Sequence, residues 1–135
     1  MTTSRQLFED VQAKFEHRDG EEYIRGTYYN PVSYPGGCAI GCLFSLESRI
    51  SLQAECDVSG NYSIDEIWSD NVPELSELKG KYSLTALKAV QLLHDCSNYV
   101  QHFKDALASA LLKGVMYAGL ELGYVSLDEE IDELH

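Results

Sequence analysis

The chain has 135 residues, of which 44% are hydrophobic and 24% charged, and its formal net charge is −12. This length is typical of one domain around one core, so we predict a single globular domain over residues 1–127 and an acidic tail over residues 128–135. The acidity disfavours direct binding of nucleic acid, because a phosphate backbone is bound by basic surfaces. The start of the chain shows no signal-peptide pattern and no apolar run is long enough for a membrane span, so we expect a cytoplasmic protein that does not cross a membrane.

The first third of the sequence predicts two helices separated by an extended segment. A helix begins at Ser4, a favoured N-cap residue, and ends near Gly20. Its apolar residues recur at helical spacing: Leu7, Phe8, Val11 and Phe15. Residues 23–29 are rich in aromatic and β-branched side chains, which indicates a short extended or β segment. Cys38 then opens the apolar run CAIGCLFSL, which we interpret as a buried helix.

Two short helices are predicted in the middle of the chain. Ser63 and Glu66 have the spacing of a capping box, in which a serine and a glutamate satisfy each other's backbone amides, so a helix begins there. Pro73 is favoured in the first turn of a helix, and Gly80 marks the end of the second one.

The second half of the sequence predicts two longer helices. After Ser83 the apolar residues recur every three positions: Leu84, Leu87, Val90 and Leu93. A break near Ser97 is followed by a last helix, which starts at Val100 and keeps its apolar spacing through Val115 to Leu122. The fold class we predict is mostly α, with α+β as the alternative if residues 23–29 pair as a strand.

Cys38 and His94 are candidate catalytic partners. Cys38 follows two glycines at the start of a predicted helix, where backbone amides would stabilise a thiolate. His94, on another helix, would act as the general base, and Asp95 or Asn98 would orient it. This order of residues resembles that of papain-like hydrolases. The alternative is that Cys38 and His94 are packed core residues.

A metal site is a second interpretation of the same region. Cys38 and Cys42 lie one helical turn apart, and His94 with Cys96 would add nitrogen and sulfur ligands. The paired CxxC motifs of structural zinc sites are missing, however. The GxGxxG, P-loop, HExxH and GxSxG motifs are missing as well. We therefore predict neither a metal nor another cofactor.

The acidic residues are concentrated in two segments. Residues 47–77 contain eight acids and one base, and residues 121–135 contain six acids and no base. Carboxylates arranged in this way can imitate phosphates and occupy the basic groove of a nucleic-acid-binding protein, with long-range attraction speeding association. The candidate binding residues of the first segment are Asp65, Glu66, Asp70, Glu74 and Glu77. The alternative is an ordinary solvated surface that keeps the protein soluble.

An aromatic loop is a further candidate contact surface. Tyr28, Tyr29 and Tyr34 lie around Pro31 and Pro35. Exposed tyrosines often anchor protein interfaces, which favours a binding role. The alternative is that the rings cover the edge of the core.

Two stretches of the sequence resemble a set of small bacterial and phage proteins. GGCAIGCLFSLE at 36–47 and VQLLHD at 90–95 are similar to the CAIG core motif and the downstream LQxxHD-like helix of that set. The resemblance implies a small cytoplasmic domain in which a buried Cys38 helix faces a His94 helix, and it supplies no activity.

Taken together, these patterns favour a small acidic binding protein that inhibits or otherwise engages a protein partner with a basic surface. The resemblance suggests a phage-encoded origin. A nucleic-acid-binding protein is the kind of partner that the charge predicts. The alternative function is a thiol hydrolase or transferase that uses Cys38 and His94. The sequence indicates no oligomeric state.

Overall fold

The computed structural model describes residues 4–18, 28, 37–70 and 72–128. Within these residues the chain forms six α-helices and one two-stranded antiparallel sheet. The elements are α1 (Ser4–Phe15), α2 (Leu46–Ser59), α3 (Ile64–Ser69), α4 (Ser76–Lys79), α5 (Leu84–Cys96), α6 (Val100–Lys113), β1 (Val115–Tyr117) and β2 (Tyr124–Ser126). The predicted mostly α class is confirmed. The extended segment predicted over 23–29 lies outside the described residues, apart from Tyr28.

The core lies where α1 packs against α5 and α6. The predicted stripe of α1 is buried in full, and each large apolar side chain removed from water contributes roughly 2 kcal/mol before entropy is counted. Opposite the α1 stripe, three side chains are completely buried: Leu87 and Val90 of α5 and Leu107 of α6. The rings of Phe15 and Phe103 meet edge to face, with centroids 4.9 Å apart.

Serine side chains fix the start of three helices. The Ser63 hydroxyl accepts a hydrogen bond from the Glu66 N–H at 3.2 Å, so Ser63 caps α3 at the predicted position, and the same hydroxyl donates to the Glu66 carboxylate at 2.9 Å. Ser83 caps α5 in the same way by accepting from the Ala86 N–H at 3.1 Å. Ser45, which was not singled out from the sequence, caps α2.

The prediction of a helix that begins at Cys38 is wrong. Residues 38–40 form a turn, Gly41–Leu43 form a single 3-10 turn, and Phe44 is extended before α2 starts at Leu46. The run is nonetheless buried as predicted, because most of its side chains enter the core from this irregular segment.

The backbone of Tyr28 explains the irregular path of this segment. Gly37 has a φ of 75°, a left-handed conformation that favours glycine. A Cβ atom on Gly41 would lie 2.5 Å from the Tyr28 carbonyl oxygen. Residues 37–41 therefore pass so close to Tyr28 that two glycines are required there.

The last helix is shorter than predicted. It ends at Lys113 because Gly114 adopts a left-handed conformation, with a φ of 69°, and its N–H bonds the Ala110 carbonyl at 2.9 Å. Val115 and Leu122 fit the helical spacing but lie in a β-hairpin instead. The pairs of the hairpin are Val115–Ser126, Met116–Val125 and Tyr117–Tyr124.

Arg5 joins the two ends of the described chain. Its backbone N–H donates to the Leu127 carbonyl at 3.1 Å, and its guanidinium donates to Asp128 at 2.6 Å and to the Leu111 carbonyl at 2.9 Å. The hydrogen bond from Arg5 holds the pKa of the Asp128 carboxyl below its usual range. Asp128, predicted to start the tail, is thus held against α1, and residues 129–135 lie outside the described residues.

Candidate functional site

A cleft of about 350 Å³ opens between α3 and α5. Four residues singled out in the sequence line it together: Tyr28, Cys38, Asp65 and Asp95. The other lining residues are Tyr62, Ser63, Ile64, Lys88, Gln91, Leu92, Ala118 and Gly119. Concave sites with apolar walls and a few convergent polar groups are the usual form of a binding site, so this cleft is the leading candidate.

One face of α5 forms a wall of the cleft. Lys88, Gln91, Leu92 and Asp95 recur at intervals of three and four residues, which places them on the same side of a helix. Neither Lys88 nor Gln91 is a candidate site residue in the sequence analysis. The signal that would have found them is this second, polar stripe on the same helix.

Cys38 lies at the floor of the cleft and is only 1% exposed. Its thiol donates a hydrogen bond to the Gln91 amide oxygen over 3.4 Å. Burial raises the pKa of the Cys38 thiol to about 11, although the backbone amides of Gly41 and Ile40 act in the opposite direction. The thiol is therefore protonated at neutral pH, which is the opposite of what a thiolate nucleophile requires.

His94 is completely buried in the core. Its ring packs edge-on against Phe103, with centroids 5.0 Å apart, and against Phe15 at 6.1 Å. Its Nδ1 lies 3.5 Å from the Asp95 carboxylate. This packing is what the core interpretation of His94 predicts, and the hydrogen bond of the Cys38 thiol goes to Gln91, one turn earlier on α5.

The Asp95 carboxylate is linked to the Cys38 thiol through hydrogen bonds of Gln91. Its carboxylate accepts a hydrogen bond from the Gln91 amide nitrogen at 2.8 Å, while the amide oxygen of Gln91 faces Cys38. Burial is the main cause of the raised pKa of both the Cys38 thiol and the Tyr28 hydroxyl, and the Asp95 charge raises both further. The negative potential of Asp95 thus reaches the floor of the cleft.

Tyr28 is buried, so it contributes to the cleft wall and not to an exposed aromatic patch. Its hydroxyl donates to the Tyr62 carbonyl at 2.5 Å, and its N–H donates to the Gln53 amide oxygen at 2.8 Å. These bonds fix Tyr28 between α2 and the start of α3. Tyr29 and Tyr34, the other tyrosines of the predicted patch, lie outside the described residues.

Three acids form a ridge where α2 meets the 3-10 turn Pro73–Leu75 and α4. We call Glu55, Glu74 and Glu77 the acidic ridge. Ser51 donates to the Glu74 carboxylate at 2.6 Å, and Ser48 donates to the Glu77 carboxylate. Because Ser48, Ser51 and Glu55 share one face of α2, the three carboxylates lie side by side along this junction.

The carboxylates of Glu55 and Glu74 perturb each other. Desolvation and the neighbouring Glu74 carboxyl raise the pKa of Glu55. Burial acts to raise the pKa of Glu74, but hydrogen bonds from Ser51, from the Glu74 backbone and with Glu55 outweigh it and lower the pKa. Two acidic groups are therefore crowded on the ridge, and Glu55 is the one that holds a proton more readily.

The remaining candidate acids lie on and around α3. Glu66 accepts a hydrogen bond from the Ser63 hydroxyl at 2.9 Å, Asp65 pairs with Lys88 at 3.5 Å, and Asp70 accepts a hydrogen bond from the Asn61 side chain at 3.0 Å. All three acids are exposed. The predicted acidic residues therefore form two neighbouring groups, one on the ridge and one around α3 beside the cleft.

No family model, curated protein or solved structure matches this chain. Its function is therefore inferred from the geometry of the site. Among the described residues, none of the helices combines the length and the apolar composition that crossing a membrane requires. Over the same residues, no three His, Cys, Asp or Glu side chains group closely enough to hold a metal ion.

Proposed function

We propose that this chain is a binding protein whose acidic surface, from α2 to α4, engages a basic surface on a protein partner, and that a nucleic-acid-binding protein is the kind of partner it inhibits. The observation that carries the proposal is geometric: Ser51 and Ser48 of α2 hold the carboxylates of Glu74 and Glu77 beside Glu55. Desolvation and the neighbouring Glu74 carboxyl raise the pKa of Glu55. Glu74 and Glu77 of the acidic ridge are among the binding residues predicted from the sequence, and the other predicted acids form the group around α3.

The cost of this arrangement falls on Glu55, whose ionised form is disfavoured beside Glu74 in the folded protein. A solvated surface that served solubility alone would be equally effective with its charges apart. A bound cationic group relieves the repulsion, so part of the repulsive energy of the free protein becomes available for binding. A ridge that is complementary to a basic partner is therefore favoured over a surface of scattered charges.

Proton linkage gives the proposal a specific signature. Because the pKa of Glu55 is raised in the free protein, a cation bound at the ridge lowers it and releases protons near that pKa. Binding should therefore weaken as the pH falls and Glu55 becomes protonated. It should also weaken as salt is added, because exposed charges are screened within about 10 Å at 0.1 M ionic strength.

The test is titration of the protein with a fluorescent oligolysine peptide at several salt concentrations. The ridge variant carries Glu55→Gln, Glu74→Gln and Glu77→Gln. The matched control carries Glu9→Gln, Glu16→Gln and Asp105→Asn, which remove the same charge from another exposed surface formed by α1 and α6. We expect the ridge variant to lose most of its affinity and the control to lose little.

A second measurement tests the inhibitor part of the proposal. A basic DNA-binding domain is bound to labelled duplex DNA, and the acidic protein is added as competitor. Displacement of the DNA by the parent protein and by the control variant, but not by the ridge variant, is the expected result. Equal loss of affinity in the ridge and control variants would show that only net charge matters, and the proposal would then be wrong.

A further inference from the structure

The cleft between α3 and α5 differs from the acidic ridge in having both depth and apolar walls. Ile64 and Leu92 line its sides, and the Gln91 amide oxygen and the Cys38 thiol lie at its floor. Its volume of about 350 Å³ is at the lower end of the range for small-molecule sites, so it suits a single side chain better than a large cofactor.

The charges around the cleft favour a cation. Asp65 and Asp95 line it from α3 and α5, and their carboxylates are 54% and 43% exposed, so both are accessible from solvent. The charge of Asp95 also reaches the floor, where it contributes to the raised pKa of Cys38. Of the basic residues described, Lys88 is the one that lines the cleft.

Lys88 already shows how an ammonium group is accommodated at this site. Its Nζ lies 3.5 Å from the Asp65 carboxylate, and its side chain is one-third exposed. Exposed ion pairs of this kind contribute little to stability, so Lys88 can be displaced at small cost. Because Asp65 and Asp95 line the same cleft, the Lys88 charge repels an external cation there and competes with it.

We propose that the cleft receives one lysine or arginine side chain of the partner, with its stem along Ile64 and Leu92 and its charged end against Asp95 and the Gln91 amide oxygen. The inference rests on the proposed function, since this side chain belongs to the same basic partner that meets the acidic ridge. The cleft would add shape recognition to an interaction that charge alone makes unspecific.

The experiment uses the folded protein labelled with ¹⁵N and amide chemical shifts as the readout. The probes are N-acetyl-lysine amide, N-acetyl-arginine amide and the uncharged isostere N-acetyl-norleucine amide. We expect the two cationic probes to shift the amides of residues 88–95 in a saturable way. Norleucine amide should produce no saturable shift, because it has no charged group for Asp95.

Three variants test the roles of the charges. Asp95→Asn should weaken binding of the cationic probes roughly tenfold, as expected for the loss of a hydrogen bond between charged groups. Lys88→Met keeps the aliphatic stem but removes the competing charge, so it should tighten binding several-fold. Asp105→Asn is the matched control, because Gln101 donates to Asp105 at 2.8 Å just as Gln91 donates to Asp95.

The outcomes separate this inference from the proposed function. If the oligolysine peptide binds, and Asp95→Asn and Asp105→Asn weaken it equally, the acidic surface stands and the cleft proposal is wrong. If the cationic probes shift residues 88–95 while the ridge variant binds oligolysine normally, the cleft stands as a site and the proposed acidic surface is wrong. Weaker probe binding in Lys88→Met would also overturn the cleft proposal, because it would make Lys88 a contributor and not a competitor.

Discussion

The Cys38 thiol donates its hydrogen bond to the Gln91 amide oxygen and not to an imidazole. This relationship determines how the thiol should react. A protonated thiol with a pKa of about 11 and 1% exposure is a poor nucleophile in the folded protein. In native protein at pH 7, we expect iodoacetamide to alkylate the exposed Cys96 rapidly and Cys38 only as fast as the protein opens.

His94→Ala is the control for that experiment. If His94 were the general base, the variant would slow alkylation of Cys38. We expect faster alkylation, because loss of the buried ring next to Phe103 should destabilise the fold and increase opening. Fast alkylation of native Cys38 that His94→Ala abolishes would restore the thiol-enzyme alternative.

The second prediction concerns Gly41. A Cβ atom there would lie 2.5 Å from the Tyr28 carbonyl oxygen and 3.0 Å from its Cα, so relief requires movement of backbone. We expect Gly41→Ala to lower the free energy of unfolding by about 1–3 kcal/mol, measured by urea denaturation. Gly80→Ala is the control, because a Cβ atom added there would meet no other atom within 4 Å and its φ is −86°. An equal loss in both variants would show that the contact with Tyr28 is not the cause.

The third prediction concerns the pH dependence of Glu55. Its pKa is raised in the folded state, so the ionised carboxylate disfavours folding at neutral pH and the penalty disappears as acid protonates it. Glu55→Gln should therefore raise the melting temperature at pH 7, and the gain should disappear as the pH falls below the pKa of Glu55. Added salt should also reduce the gain. A gain that is the same at every pH would exclude charge repulsion as its source.

Glu74→Gln is expected to behave in the opposite way. The pKa of Glu74 is lowered in the folded state, so its ionised form stabilises the fold above the unfolded pKa, and this contribution is lost as the pH falls through the folded pKa. The substitution should lower the melting temperature at pH 7 because the hydrogen bond from Ser51 then goes to an uncharged group. Melting curves of the parent and both variants between pH 3 and pH 8 (about the range in which carboxyl groups titrate) provide the comparison, and a stabilising effect of Glu74→Gln at pH 7 would contradict this explanation.

The parts of the fold that depend on local interactions were predictable from the sequence. The helix cap at Ser63 and the stripe of α5 involve residues within a few positions of each other. The helix predicted at Cys38 failed because Tyr28, outside the local stretch, sets the path of that segment. The end of α6 was missed because the apolar spacing continues past Gly114 into the hairpin.

The same distinction between local and long-range interactions applies to the candidate site. The sequence singled out Cys38 and Asp95, and the structure places both in one cleft, because the Cys38 thiol bonds Gln91, which lies one turn before Asp95 on α5. Gln91, which lies between them, was missed because a glutamine on a helix carries no charge or reactive group that separates it from ordinary surface residues. Its importance depends on a partner 53 positions away in the chain.

The contacts of Arg5 hold the two ends of the described chain together. A hydrogen bond spans the 123 positions between Arg5 and Asp128, and the Leu127 carbonyl receives the Arg5 N–H. The entropic cost of closing a loop grows, although slowly, with its length, so α1 should dock after the local helices have formed. A circular permutant that joins these two ends and opens the chain at an exposed turn such as Gly60 should therefore keep the fold and acquire it faster.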